Sequence, residues 1–249
     1  MGVSVVDYAA VAATVVLAYT IFGLTGFGAA MVAVPLLVQV VPLKFAVPLI
    51  VLLDILVTAV VSWRNWSHVS WRELRRLFPF MLLGVALGAT MLANLGARWL
   101  LIGLGVFILA MALRSLRVVA QATRPLHAVW VVPAGTVGGI FSALFGTGGP
   151  IYTMYLSRRL VNLDAFRATI AAVIFLSAVV RIGAFGATGL LQQDRLLAMA
   201  AFALPACLLG TWLGSSLRRR VSPLTTKKAL LVCMALGGCI VLVRGLLSP

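Results

Sequence analysis

The 249-residue chain has 63% hydrophobic and 10% charged residues, a formal net charge of +15 and a mean hydropathy of +1.14. Ordinary soluble domains carry about 25% charged residues, so this composition excludes a soluble protein and indicates an integral membrane protein. Its basic residues stand at the ends of apolar segments, without interleaved aromatic residues. This pattern predicts a role in membrane topology and argues against nucleic-acid binding.

Ten apolar segments follow one another in two series of five. The first series covers about residues 4–22, 29–42, 44–62, 74–94 and 98–117, and the second covers about 129–144, 149–157, 165–190, 196–216 and 227–247. A bilayer-spanning helix needs about 20 apolar residues, so most segments can cross but 149–157 is too short. The first segment lacks a basic start and an obvious cleavage site, so we expect a retained helix rather than a signal peptide.

The two series resemble each other in sequence. FPFMLLGVALGA at 78–89 aligns with LPACLLGTWLGS at 204–215, an offset of 126, and TGFGAA at 25–30 aligns with FGTGGP at 145–150, an offset of 120. This similarity predicts a duplicated unit of about 110 residues. We expect one membrane domain with a first repeat at 1–120 and a second at 121–249.

The distribution of basic residues favours a hairpin at each glycine break over a kinked single helix. Loops rich in Lys and Arg remain in the cytoplasm. With hairpins, each half has five segments and the second half is inverted relative to the first. The fifteen cations then inside are Arg64, Arg72, Arg75, Arg76, Arg114, Arg117, Arg124, Arg158, Arg159, Arg167, Arg218, Arg219, Arg220, Lys227 and Lys228. The four outside are Lys44, Arg98, Arg195 and Arg244. The predicted fold is an all-α polytopic membrane protein of two inverted-topology repeats, each a glycine-broken helical hairpin plus three transmembrane helices.

The glycine breaks themselves predict a site for an anion. Glycine accepts positive φ and lets a ligand approach the backbone closely, and Pro150 suits the first turn of a new helix. The N-terminus of a short helix presents free N–H groups and the positive end of the helix dipole. Two such ends from inverted repeats near mid-membrane are typical of transporters. The alternative is that these glycines only allow helices to pack closely.

The paired G-x-G breaks, the LLG-x-x-LG segment late in each half, the length and the scarcity of loops resemble the TauE/SafE, or sulfite exporter, family of membrane transporters. The resemblance covers essentially the whole chain. It implies movement of small anions such as sulfite, sulfoacetate or related sulfonates across the bacterial cytoplasmic membrane, without fixing the substrate. The two breaks differ, because Ala29 and Ala30 stand where the second break has Gly149 and Pro150.

Two ionisable residues lie deep in apolar segments, where charge is costly and usually functional. Arg181 could bind an oxyanion through its guanidinium, and Asp54 could carry a proton that couples anion movement to the proton gradient. Alternatively, the two neutralise each other, or Arg181 snorkels to the outer interface. Thr25, Ser142 and Thr147 flank the breaks and could donate to an oxyanion or bond to their own helix.

We therefore expect a secondary transporter for a small, sulfur-containing anion, with proton coupling as an option. The candidate substrate-binding residues are Thr25, Gly26, Phe27, Gly28, Ser142, Gly146, Thr147, Gly148, Gly149 and Arg181, and Asp54 is the candidate for proton coupling. The alternatives are an anion channel or an accessory subunit of a larger complex. No ATP-binding, nucleophile or metal motif occurs in the sequence, so we expect neither an enzyme nor a cofactor. The expected partners are the anion and the lipid bilayer, and both a monomer and a homo-oligomer stay open.

Overall fold

The computed structural model describes residues 5–26, 28–64, 66–117, 126–218 and 220–247. Within these ranges the chain forms helices and short turns, without a strand. The first series of helices is α1 (Val5–Thr25), α2 (Ala29–Leu37), α3 (Leu43–Arg64), α4 (Trp71–Asn94) and α5 (Ala97–Arg117). The second is α6 (Val131–Phe145), α7 (Gly149–Leu156), α8 (Leu163–Ala187), α9 (Leu196–Leu217) and α10 (Pro223–Leu247). Single 3₁₀ turns at Trp66–His68 and Ala128–Trp130 precede α4 and α6.

The predicted all-helical membrane fold is confirmed. Among the described residues, seven helical segments are long and apolar enough to cross a membrane: α1, α4, α5, α6 together with the 3₁₀ turn before it, α8, α9 and α10. The two short helices, α2 and α7, have 9 and 8 residues and directly follow the two glycine breaks. At a rise of about 1.5 Å per residue, neither spans the roughly 30 Å hydrocarbon core.

Contacts divide the chain into two compact units, each built from both halves of the sequence. The first unit comprises Met1–Leu53, Leu95–Val118 and Gln192–Pro249, and the second comprises Asp54–Asn94 and Val119–Leu191. In the first, α1 packs on α9 and α5 on α10. In the second, α4 packs on α6 and α8, and α7 packs on both α6 and α8.

The LLG-x-x-LG segments bring helix backbones into close contact in both units. In the second unit, a Cβ at Gly84 would overlap the carbonyl oxygen of Thr136, and one at Gly88 would lie 2.6 Å from that of Ile140. In the first unit, a Cβ at Gly210 would lie 2.5 Å from the Val16 carbonyl oxygen. Such small residues allow helix backbones to approach closely in membranes.

These close contacts occur at equivalent positions of the sequence repeat. Gly84 and Gly210 differ by the 126-residue offset, and their partners Val16 and Thr136 differ by the 120-residue offset. The next glycine in each segment follows the same rule, because Gly214 meets the carbonyl of Thr20, 120 residues before Ile140. Each segment therefore packs on the helix that precedes a glycine break in the other half.

Candidate functional site

The second glycine break ends α6 and starts α7 within the second unit. Gly146 terminates α6 with φ +70°, a left-handed conformation in which glycine is strongly favoured. Its N–H donates to the Ser142 carbonyl at 2.9 Å, and the Thr147 N–H donates to the Phe141 carbonyl at 3.3 Å. Helix α7 begins at Gly149 with Pro150 in its first turn, as the sequence predicts.

Helix α7 folds back along α6 after this break. A Cβ at Gly138 would overlap the ring of Tyr152, so the two residues are in direct contact. Their 14-residue separation would place them about 21 Å apart in a continuous helix. The chain therefore reverses at the break, in agreement with the predicted hairpin.

Gly148 is required here for space rather than for its backbone conformation. Its φ is −66°, which any residue adopts. A Cβ at this position would lie 2.6 Å from the Gly138 carbonyl oxygen and 2.7 Å from the Ser142 Cβ. The expectation of positive φ is therefore wrong for Gly148, where close packing of α7 on α6 leaves no room for a side chain.

The first break has a different local geometry. Gly26 and Gly28 both have positive φ, +82° and +93°, and α2 begins directly afterwards at Ala29. Among the described atoms, nothing lies within 4 Å of a Cβ built at Gly26, and only the Leu230 side chain, at 3.9 Å, approaches one at Gly28. The Thr25 hydroxyl donates to the Ile21 carbonyl of its own helix at 2.8 Å. Phe27, a predicted site residue, lies outside the described residues.

Arg181 and Asp54 face each other inside the second unit. Arg181 is 1% exposed and Asp54 is 6% exposed, so the guanidinium is buried and does not snorkel. Arg181 Nη2 lies 3.8 Å from Asp54 Oδ2, an ion pair longer than a hydrogen bond. The same guanidinium donates from Nη1 to the Ser142 carbonyl at 3.2 Å and from Nε to the Ser177 carbonyl at 3.4 Å. Arg181 and Asp54 are therefore close enough to pair, at the distance of a long ion pair.

Three buried hydroxyls adjoin this guanidinium. Ser142 Oγ and Ser177 Oγ form a hydrogen bond of 2.7 Å. The Tyr152 hydroxyl lies near both serines and within electrostatic range of Arg181, yet no described group makes a hydrogen bond of normal geometry with it. Thr147 is equally buried, but its hydroxyl donates to the Phe141 carbonyl at 3.4 Å. Tyr152 and the two serines form, with Arg181, a donor-rich cluster beside the N-terminus of α7.

Sequence reasoning missed Tyr152 and Ser177. Ser177 is four residues before Arg181 on the same helix, and this spacing places both on one face. Tyr152 is in the first turn of α7. The i,i+4 relation could have identified Ser177. The contact of Tyr152 depends on the angle at which α7 returns, which the sequence pattern does not encode.

A second polar cluster holds the other end of α7. Glu73 Oε2 accepts from the Tyr155 hydroxyl at 2.7 Å, and Glu73 Oε1 accepts from Arg159 Nη2 at 2.9 Å. Arg159 Nη1 donates to the Leu126 carbonyl at 3.0 Å. The bond to Glu73 raises the pKa of the Arg159 guanidinium. These bonds bring the α3–α4 connection, the segment before α6 and the α7–α8 connection to one end of the second unit.

Two side-chain hydrogen bonds to backbone carbonyls join separate segments of the first unit. Gln193 Nε2 donates to the Lys44 carbonyl at 2.7 Å, so the α8–α9 connection meets the start of α3. Arg244 Nη1 donates to the Val38 carbonyl, next to the end of α2. Of the cations predicted to lie inside, Arg124 and Arg219 fall outside the described residues.

With this geometry in place, the chain can be compared with known proteins. The sequence profile of the family "Sulfite exporter TauE/SafE" matches residues 11–241. The chain belongs to the TauE/SafE family. It is also 30% identical over 191 residues to the "Probable inner membrane transporter protein TsaS" of Comamonas testosteroni, which covers 76% of this chain and 80% of that protein. No solved structure matches the chain.

Membership of the TauE/SafE family makes this chain a multi-pass membrane transporter. The resemblance drawn from the glycine breaks and the LLG-x-x-LG segments is therefore confirmed. Within the described residues, the structure gathers Ser142, Gly146, Thr147, Gly148 and Gly149 around the second break, with Arg181 and Asp54 beside them. Thr25, Gly26 and Gly28 lie together at the first break, in the other unit.

Proposed function

We propose that this protein is a secondary transporter that moves a small sulfur-containing oxyanion or organosulfonate across the inner membrane. The observation that carries this proposal is the buried donor-rich cluster at the second break. Arg181, the Ser142 and Ser177 hydroxyls and the Tyr152 hydroxyl adjoin the N-terminus of α7. Hydrogen-bond donors and a helix N-terminus favour an anion, and a guanidinium matches oxyanion geometry.

The Tyr152 hydroxyl indicates that the ligand of this site would be a hydrogen-bond acceptor. A buried hydroxyl without a hydrogen bond of normal geometry is costly, and an acceptor on a bound ligand would remove that cost. The groups that adjoin it are the two serine hydroxyls and a guanidinium. An oxyanion oxygen would accept from Tyr152 and Arg181 together. The site would therefore bind the anion through hydroxyl donors and one cation.

Asp54 supplies the proposed coupling to protons. Its carboxylate partly offsets the Arg181 charge at 3.8 Å, so protonation of Asp54 would leave more of the guanidinium charge for the anion. Anion binding and protonation of Asp54 would then favour each other. Such reciprocal linkage is what a proton-coupled anion carrier needs.

The proposed topology has a hairpin at each break and inverted halves. The contacts of Arg159 support it at the second break. If α6 and α7 formed a single kinked crossing, the α7–α8 connection would lie on the membrane face opposite the α3–α4 connection. Arg159 instead bonds to Glu73, in the first turn of α4. A hairpin places both connections on one face, which the positive-inside pattern assigns to the cytoplasm.

Cysteine labelling tests this topology. In a background without Cys207, Cys233 and Cys239, a membrane-impermeant maleimide added from outside should label Gln192→Cys and leave Arg218→Cys unlabelled. Both positions are exposed in the structure. Labelling in the reverse order would overturn the inverted topology.

Uptake into proteoliposomes tests the proposed function. The purified protein is reconstituted alone, and uptake of radiolabelled sulfite, sulfoacetate and other small anions is measured with and without an imposed pH gradient. Saturable, gradient-driven flux of one anion would establish a coupled carrier and its substrate class. Flux that follows only the anion's own gradient and does not saturate would favour a channel. No flux for any of these anions would contradict the proposed function.

A further inference from the structure

The cluster of Glu73, Tyr155 and Arg159 lies in the second unit and contributes no group to the proposed anion site. Glu73 is the only glutamate in the sequence, and it is 5% exposed. A buried carboxylate is costly unless charged and hydrogen-bonded partners compensate it. Here both carboxylate oxygens are bonded, one to Tyr155 and one to Arg159. Arg76, one turn further along α4, lies 3.5 Å from Oε1.

These bonds connect α4 to the C-terminal end of α7. Tyr155 belongs to α7, and Arg159 follows α7 in the connection to α8. Arg159 continues the link by donating to the Leu126 carbonyl, in the segment that leads into α6. A single carboxylate on α4 therefore fixes the end of α7 and, through Arg159, the approach to α6.

Helix α7 depends on such contacts for its position. It has 8 residues, and helices of fewer than about 12 residues are marginal without tertiary support. Tyr152 and Tyr155 are three residues apart, so they lie on one face of α7, about 4.5 Å apart along its axis. Tyr152 contacts Gly138 and adjoins the donor-rich cluster, while Tyr155 is bound to Glu73. The carboxylate thus sets both the rotation of α7 and its height along α6.

We propose that Glu73 is a positioning residue for the transport site. By holding Tyr155 and Arg159, it keeps α7 seated so that the Tyr152 hydroxyl and the α7 N-terminus face Arg181. This inference rests on the proposed function, because it assumes that the anion binds at the second break. If the seated fraction of α7 falls to about one tenth, the apparent Kd for the anion rises about tenfold, because only the seated state binds.

The test compares three variants with the wild type. Glu73→Gln keeps the size of the side chain and removes its charge. Tyr155→Phe removes one hydrogen bond and keeps the ring, so it is the milder variant if Glu73→Gln folds poorly. Asp164→Asn is the matched control: it removes a carboxylate from the first turn of α8, where the residue is exposed.

Two readouts separate positioning from a general loss of stability. The first is the KM and maximal rate of anion uptake per inserted molecule. We expect KM to rise about tenfold in Glu73→Gln and less in Tyr155→Phe, with wild-type values in Asp164→Asn. Glu73→Gln and Tyr155→Phe both weaken the same Tyr155–Glu73 hydrogen bond. The double variant Glu73→Gln/Tyr155→Phe should therefore raise KM by less than the product of the single effects.

The second readout is hydrogen exchange in peptides that cover residues 149–160, which needs no transport. Faster exchange in these peptides in Glu73→Gln and Tyr155→Phe, with Asp164→Asn at the wild-type rate, would support the proposal that Glu73 holds α7 in place. If both KM and exchange are unchanged in the Glu73 and Tyr155 variants, the positioning role of Glu73 is overturned. Flux in the wild type would in that case still support the proposed function. A lower maximal rate at unchanged KM would assign Glu73 a purely structural role and also overturn the inference. Absence of flux in the wild type would instead overturn the proposed function, and with it the site that Glu73 is proposed to position.

Discussion

The two glycine breaks occupy equivalent positions in the repeat, and the first glycine of each, Gly26 and Gly146, has positive φ. The second glycine of each, Gly28 and Gly148, serves a different physical purpose. At the first break, Gly26 and Gly28 have positive φ, and a methyl group at either would meet little or nothing among the described atoms. At the second, Gly148 has an ordinary φ, and a methyl group would strike the Gly138 carbonyl. A glycine pattern alone therefore does not reveal whether conformation or space requires it. Among the described residues, the cluster of Arg181, Asp54 and buried hydroxyls lies at the crowded second break.

The largest expected effect comes from filling the crowded break. Gly148→Val places branched carbons where 2.6 Å separates a Cβ from the Gly138 carbonyl oxygen, so α7 cannot stay seated on α6. We expect transport to be abolished, with little loss of membrane insertion. Gly183→Val is the control, because no described atom lies within 4 Å of a Cβ there. Normal flux per inserted molecule in Gly148→Val would refute the proposal that the tip of the α6–α7 hairpin forms the transport site.

Asp54→Asn removes the acidic residue beside the second break and so tests whether this break carries the proton coupling. We expect flux to persist but to lose its dependence on pH, since the residue at position 54 can no longer gain or lose a proton. The measurement is the rate of uptake between about pH 6 and about pH 8, one unit on each side of neutrality. A fully retained pH dependence would exclude Asp54 as the coupling residue.

Tyr152→Phe removes one hydroxyl and keeps the ring that packs on Gly138. Losing a donor to a charged ligand costs about 1.5–3 kcal/mol, so we expect KM to rise about tenfold or more at a similar maximal rate. Tyr19→Phe is the control, because Tyr19 is fully buried in the other unit and its hydroxyl donates to the Ile50 carbonyl at 3.5 Å. Equal KM values in the two variants would remove Tyr152 from the anion site.

The smallest effect is expected at the open break, where conformation is decisive. Alanine at Gly28 must adopt φ +93°, at a cost of about 1–2 kcal/mol, whereas asparagine tolerates the left-handed region better. We therefore expect Gly28→Asn to be more stable to heat than Gly28→Ala. At Gly148 the order should reverse, because alanine already brings a Cβ against the Gly138 carbonyl and asparagine adds further atoms to the same crowded space. If asparagine and alanine rank in the same order of thermal stability at both positions, the breaks do not differ in whether conformation or space requires the glycine.

Much of the fold could be predicted from the sequence because apolar length and glycine breaks act locally. The predicted segment 149–157 became Gly149–Leu156, and 74–94 became Trp71–Asn94. The predicted 29–42 was too long, since the helix ends at Leu37 and a turn leads through Pro42 into α3. Hydropathy does not register such a turn, because three valines dominate the five residues from 38 to 42.

The site was less predictable because its contacts join distant positions. Asp54 and Arg181 could be singled out as buried charges, but nothing in the sequence states that they pair across 127 residues. Glu73 was missed because it precedes the predicted start of its apolar segment at 74, beside two arginines, and there resembles a solvated loop residue. Its burial comes from Tyr155 and Arg159, which reach it only after α7 has folded back.

The most direct test of the central claim is the affinity of the purified protein for its transported anion, measured by calorimetry in the wild type and in Arg181→Lys. Lysine preserves the positive charge opposite Asp54 but loses the planar, bidentate donor pair. If the anion binds at the second break, its Kd should rise at least about tenfold while binding remains detectable. An unchanged Kd would show that the anion binds elsewhere and would contradict the account.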